Sequence, residues 1–138
     1  MDYRQAFAIS GAGMDIERLR LEVTALNLAN THTVAEPGAT AYAPMRVIAR
    51  SSFGALMANG MPNAAQVTIE PSGVAPRMVQ EPGHPFADAR GLVAYPGIDT
   101  AHEMLTMMSA LRAYEANIAA MNAARTMAQK ALEIGGAA

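Results

Sequence analysis

The sequence predicts an α+β fold that is mainly helical: long N- and C-terminal helices pair as an antiparallel coiled coil, with a small Pro/Gly-rich, β-containing lobe between them. Three observations carry this expectation. Apolar residues recur at spacings of three and four near both ends of the 138-residue chain. All eight prolines, from Pro37 to Pro96, fall between those ends, where proline excludes helix interiors. The chain is 51% apolar but only 5% aromatic, with 11 methionines and no tryptophan, a composition that suits adaptable helix packing better than a pocket walled by rings. The expected division is an N-terminal axial helix over 1–31, a middle β/loop lobe over 32–98 and a C-terminal axial helix over 99–138.

The first helix is read from about Tyr3 to Asn30. Ile9, Ala12, Ile16, Leu19, Val23 and Leu26 follow one another at intervals of 3, 4, 3, 4 and 3, the spacing of a coiled-coil seam. Phe7, Met14, Leu21 and Leu28 form a second stripe with a seven-residue repeat, about 140° away at ~100° per residue. Arg18 and Glu22 are placed for an i,i+4 pair. In "LNLANTHT", residues 26–33, Asn27 and Asn30 suit a helix end, because their amides compete for nearby backbone groups. A second role is open to them, a hydrogen bond to a neighbouring backbone or side chain at the turn toward the lobe.

The middle is expected to hold short strands at Met45 to Arg50, Gln66 to Glu70, Arg77 to Gln80 and Leu92 to Tyr95, with a loop from Phe53 to Ala65. "EPG" at 36–38 and again at 81–83 reads as turns. The last helix runs from about Thr100 to Ile134. Met104, Met107, Leu111, Tyr114, Ile118 and Met121 continue the 3/4 pattern, Asp99 or Thr100 supplies the N-cap, and Glu103 sits where the helix dipole favours a carboxylate. Gly135 and Gly136 end it. At ~1.5 Å per residue the two helices measure roughly 40 and 50 Å.

Pairing of the two seams leaves the second stripe of the first helix without cover, which favours a subunit that assembles.

Several function classes find no support. A formal charge of −2 without a Lys/Arg cluster offers nothing to nucleic acid or to an anionic membrane. There is no cysteine, hence no disulfide or thiolate metal site. His102-Glu103 begins like H-E-x-x-H, yet position 106 is Thr106, while His32 and His84 lack partners at ligand spacing, so no metal and no cofactor are expected. Gly11 and Gly13 lack the third glycine of a dinucleotide loop, since position 16 is Ile16. Glu81, Asp88 and Asp99 are isolated turn carboxylates, and the protein is not expected to be an enzyme. No apolar run approaches the ~18–20 residues of a membrane span, and residues 1–15 make a poor secretory signal, so export would proceed without a conventional cleaved signal peptide.

Two signatures carry a family resemblance. Asn27-Leu28-Ala29-Asn30 after a heptad helix, and Arg112, Tyr114, Ala116 and Asn117 within "MMSALRAYEANIAAMN", resemble the terminal motifs of the bacterial flagellar axial proteins of the rod and hook. "EPGHPFADARGLVAYPGID", residues 81–99, is similar to the E-P-x-x-P-x-A-D-x-x-G-x-V-x-x-P segment of a short proximal-rod member, and the similarity spans residues 5–51 and 78–135. The chain departs from that pattern at Gly97, where Asn is usual, at Pro44, where a basic residue is common, and at Leu111, where a small polar residue is common.

The resemblance implies a structural subunit of the flagellar basal body, exported through the flagellar type III apparatus and assembled helically in the periplasm to transmit torque. Its implied partners are further copies of itself, the rod proteins FlgB, FlgF and FlgG, and the adaptor FliE, without membrane insertion. The assembly interface expected on this reading comprises Ile9, Ile16, Leu19, Val23, Leu26, Asn27 and Asn30 on the first helix, and Met104, Met107, Leu111, Arg112, Tyr114, Asn117, Ile118 and Met121 on the last. The alternatives are a small coiled-coil regulatory module that binds a partner helix, or another proximal rod protein such as FlgB.

Overall fold

The computed structural model describes residues 3–36, 39–50 and 66–135. Helix α1 spans Tyr3–Ala29, strands β1 (Met45–Arg50), β2 (Gln66–Pro71), β3 (Arg77–Gln80) and β4 (Leu92–Tyr95) follow, and α2 spans Thr100–Gly135. The bounds differ from the expected ones by at most one residue. Proline and glycine confine the helices, and β-branched residues mark β1, β2 and β4. The loop expected from Phe53 to Ala65 lies outside the described residues, as do Pro37 and Gly38 of the first EPG.

The strands form two separate antiparallel hairpins, β1 with β2 and β3 with β4. Met45 faces Pro71 in the first register and Val79 faces Val93 in the second. The helices pack together as an antiparallel pair. Asn27 bonds Glu103, and Gly13 lies against Asn117, where a β-carbon would come within 2.8 Å of Nδ2. Both steps, from residue 27 back to 13 and from 103 on to 117, are two heptads long.

The face that pairs is shifted from the one the apolar spacing marks. On α1, Gly13 and Asn27 touch α2, and Ser10, Glu17, Arg20 and Thr24 on the same stripe are buried or half-buried, each of the six one residue after a member of the expected seam. On α2 the corresponding buried or half-buried stripe is Glu103, Thr106, Ala110, Ala113 and Asn117, each one residue before. One residue is a turn of ~100° about the helix axis. Gly13 lets α1 approach Asn117 closely, where any side chain would hold the helices apart. Ile9, Leu26, Met104, Leu111 and Ile118 are exposed, so the expectation that the two aliphatic seams bury each other holds only in part. Ala12, Ile16 and Leu19 are half-buried beside the contact, as are Met107, Tyr114 and Met121; Val23 alone of the expected seam is buried.

The 81–99 segment is built from local hydrogen bonds. Asp88 Oδ1 accepts from the backbone N–H of Arg90 and of Leu92, both at 2.8 Å. These amides, Leu92 first and Arg90 second, hold the Asp88 carboxyl below the ordinary aspartate range. Gly91 takes φ +75, a left-handed turn that glycine enters without a steric penalty, and it packs on Pro82. Tyr95 donates its hydroxyl to Glu81 at 3.0 Å, the bond that chiefly raises the phenol above its usual range. Val93 between them is 0% exposed. Gly97 then passes against the 74–75 turn, where a β-carbon would collide with the Ala75 carbonyl oxygen. This contact accounts for glycine at a position where the related pattern has Asn.

Two outcomes follow. Gly97→Ala lowers stability by about 1–3 kcal/mol through overpacking, whereas Gly83→Ala, with nothing within 4 Å, changes it by less than about 0.5 kcal/mol; urea midpoints distinguish them. For Asp88, the folded carboxyl ionises below the unfolded one, so the turn is at full strength above the ordinary aspartate range and loosens as pH falls through the lower, folded value. An NMR titration should give Asp88 a midpoint below that of an unstructured aspartate, with the Arg90 and Leu92 amide shifts following the same curve. An ordinary midpoint would show that those bonds do not favour the ionised form.

Candidate functional site

Asn27 is the most consequential polar side chain of the molecule, buried to 1% exposure at the end of α1. Its carboxamide uses its full capacity of two donated and two accepted bonds. Nδ2 donates to the Met45 carbonyl at 2.8 Å and to Glu103 Oε2 at 3.2 Å. Oδ1 accepts from the Tyr42 hydroxyl and from the Met45 N–H, each at 3.0 Å. Three parts of the chain therefore meet on one side chain: the segment entering β1, the first turn of α2, and α1 itself.

The β1–β2 register explains why Met45 needs this partner. Ser72 N–H donates to the Pro44 carbonyl across the pair, so at Met45, opposite Pro71, both backbone groups point away from β2 toward the open edge of β1. Asn27 takes the N–H and the C=O together, as a neighbouring strand would. Burial pushes the Tyr42 phenol above its usual range, and the nearby Glu103 charge adds to the shift. Neither Tyr42 nor Glu103 is found by periodicity. Glu103 was legible only as a favourable first-turn charge, and nothing in local spacing links positions 27, 42, 45 and 103.

Asn30 behaves differently. Its Nδ2 donates to the Leu26 carbonyl at 2.8 Å and its Oδ1 accepts from Thr33, with Thr31 Oγ1 donating to the Leu28 carbonyl at 2.8 Å. These bonds close the helix end locally. The two alternatives for the asparagines thus divide between them: Asn27 reaches distant chain, Asn30 caps.

A cleft of about 460 Å³ lies beside this node, walled by Val23, Met45 and Val74 and edged by Arg20, His102 and Glu103. Its carboxylates are already engaged. Asp99 Oδ1 accepts from the Ala101 and His102 amides as the N-cap of α2, and Glu103 holds Asn27; Arg20 at the rim pairs with Glu17 outside the cleft at 2.9 Å. No group of three metal-ligating residues occurs among the described residues, and no described helix is long and apolar enough to cross a membrane.

The remaining residues singled out from the sequence divide by exposure. Val23 and Asn27 are buried within the chain. Asn117 faces Gly13 in the helix contact. Ile9 and Leu26 on α1, and Met104, Leu111, Arg112 and Ile118 on α2, are exposed. Leu105 and Met108, absent from the seam read off the sequence, extend the exposed aliphatic surface of α2, as do Met127, Leu132 and Ile134 nearer its end.

Comparison with known proteins places these features in a family context. Residues 89–134 match the family model described as flagellar basal body rod FlgEFG protein C-terminal. The chain is 38% identical to the flagellar basal-body rod protein FlgC of Salmonella typhimurium over 129 residues, covering 94% of this chain and 95% of that protein. It is 37% identical to FlgC of Escherichia coli O6:H1 with the same coverage, and 34% identical to FlgC of Bacillus subtilis, covering 92% of this chain and 94% of the relative.

Replacement of Asn27 by leucine should be costly, because it strands the Met45 N–H and C=O and the Tyr42 hydroxyl; we expect a loss of about 2–4 kcal/mol. Asn30→Ala, which removes exposed capping bonds, should cost about 1 kcal/mol or less. Urea unfolding at unchanged m-value reads the difference.

Proposed function

The chain belongs to the FlgC family of flagellar basal-body rod proteins, and from that membership we propose that it builds the proximal rod by burying the outward aliphatic faces of its two helices against neighbouring subunits. It is a structural subunit of the flagellar basal body, and no catalytic family is indicated by its relatives. The proposal adds a periplasmic site of assembly, reached through type III export without a cleaved signal, helical arrangement, and torque transmission by packing. Its neighbours would be further copies of the chain and the rod proteins FlgB, FlgF and FlgG, with FliE as the adaptor. The division into an axial helix over 1–31, a lobe over 32–98 and an axial helix over 99–138 belongs to the same reading, with the helices continuing into coiled-coil contacts between subunits.

The observation that supports it is the orientation of the large side chains. Met104, Leu105, Met108, Leu111 and Ile118 on α2, with Ile9 and Leu26 on α1, remain exposed while polar and small residues, Ser10, Gly13, Thr24, Asn27, Glu103 and Ala110 among them, are buried or half-buried. Each such side chain stabilises a contact by about 1.5–3 kcal/mol when fully buried. An assembly of repeated contacts multiplies that gain. Stiffness then arises from many close-packed contacts, with no residue performing a reaction.

Ile118→Asp should abolish rod incorporation and motility, because a buried, unpaired carboxylate costs several kcal/mol at every equivalent contact. The same substitution should leave the isolated chain's unfolding midpoint nearly unchanged, since Ile118 is exposed there. Basal-body isolation followed by immunoblotting measures incorporation; a variant that enters rods at the normal level would remove Ile118 from the interface.

A further inference from the structure

We propose that Glu103 is a positioning residue which, acting through Asn27, makes docking of the lobe depend on pairing of the two helices. The inference concerns the inside of the subunit and stands whether or not the outward faces serve assembly.

A carboxamide presents two chemically opposite ends of nearly identical shape. Only one orientation of Asn27 serves β1: the oxygen must meet the Met45 N–H and the nitrogen must meet the Met45 carbonyl. In the reversed orientation two donors would face each other at Met45 N and two acceptors at Met45 O. One group outside β1 adds to that selection, whereas the Tyr42 hydroxyl, able to donate or accept, fits either orientation. Glu103 on α2 is an obligate acceptor and takes the second hydrogen of Nδ2, while Tyr42 donates its hydroxyl to Oδ1. Reversal would set Oδ1 against the Glu103 carboxylate, a repulsion between two acceptors. Glu103 touches Asn27, whose amide in turn holds Met45. When α2 is in place, the charge it brings to the end of α1 fixes the amide that holds the edge of β1. With α2 away, only Met45 itself selects the orientation, one hydrogen of Nδ2 is left without its acceptor, and the amide holds the edge of β1 less firmly.

The test is hydrogen exchange at single amides in a chain whose helices are held together independently of Glu103. The absence of native cysteine permits a tether through Gly13→Cys and Asn117→Cys: a β-carbon at 13 lies 3.0 Å from Asn117 Cγ, which puts the two β-carbons within about 4.5 Å, in disulfide range. In the oxidised, tethered chain, Glu103→Leu should accelerate exchange of the Met45 amide at least tenfold, and at least threefold more than that of Glu70, which lies opposite Arg46 in the β1–β2 register. Glu103→Gln, whose carbonyl can accept the same bond, should keep Met45 within threefold of the parent. The proposal is overturned if the Met45 amide exchanges freely in the tethered parent, if Met45 and Glu70 accelerate together, as general loosening would require, or if glutamine fails to restore protection.

Discussion

The arrangement of the subunit depends on one buried carboxamide. Asn27 brings α1, α2 and the first strand of the lobe into a fixed relation because each of its four hydrogen-bonding sites is engaged by a group from another part of the chain. A buried amide with any of those sites open would cost free energy comparable to a lost hydrogen bond, and more than one when the orphaned backbone groups are counted. The requirement is directional, whereas hydrophobic burial is not. Direction is what a node between two helices and a strand edge must supply, since the lobe otherwise rests on a pair of hairpins with little interior of their own: among the described residues of the lobe the buried apolar side chains are Pro44, Val93 and Pro96.

That same requirement fixes how the helices face each other. To place Asn27 against Glu103, α1 must turn the stripe of Ser10, Gly13, Thr24 and Asn27 inward, and the aliphatic stripe about 100° round the helix is left with its ends, Ile9 and Leu26, exposed. An exposed leucine forfeits a favourable burial, while an unsatisfied internal asparagine incurs a penalty, so the polar node prevails within the chain. Large aliphatic side chains left on the outer faces are what the proposed packing between rod subunits would cover.

The 81–99 segment shows a different economy. Asp88, Gly91 and the Glu81–Tyr95 bond hold a hairpin through contacts close in sequence, and Gly97 joins it to the 74–75 turn by having no side chain. Such a unit keeps its shape with a small core, because each turn is specified by a side-chain-to-backbone bond or a left-handed glycine.

Element type and boundary were determined locally. Proline placement, heptad spacing and β-branched runs located both helices and all four strands, since these signals depend on neighbours a few residues apart. The Asp99 cap and the local role of Asn30 were legible for the same reason. The relative rotation of the helices was not, because apolar spacing reports which residues avoid water and is silent about whether a fold or an assembly will cover them. Nor was the node of Asn27, Tyr42, Met45 and Glu103: hydrogen-bond satisfaction at separations of 18 and 76 residues exists only once the chain has brought those groups together. Tertiary structure decided which face of each helix the subunit keeps for itself, because a buried amide must have partners while a greasy stripe only needs, eventually, to be covered.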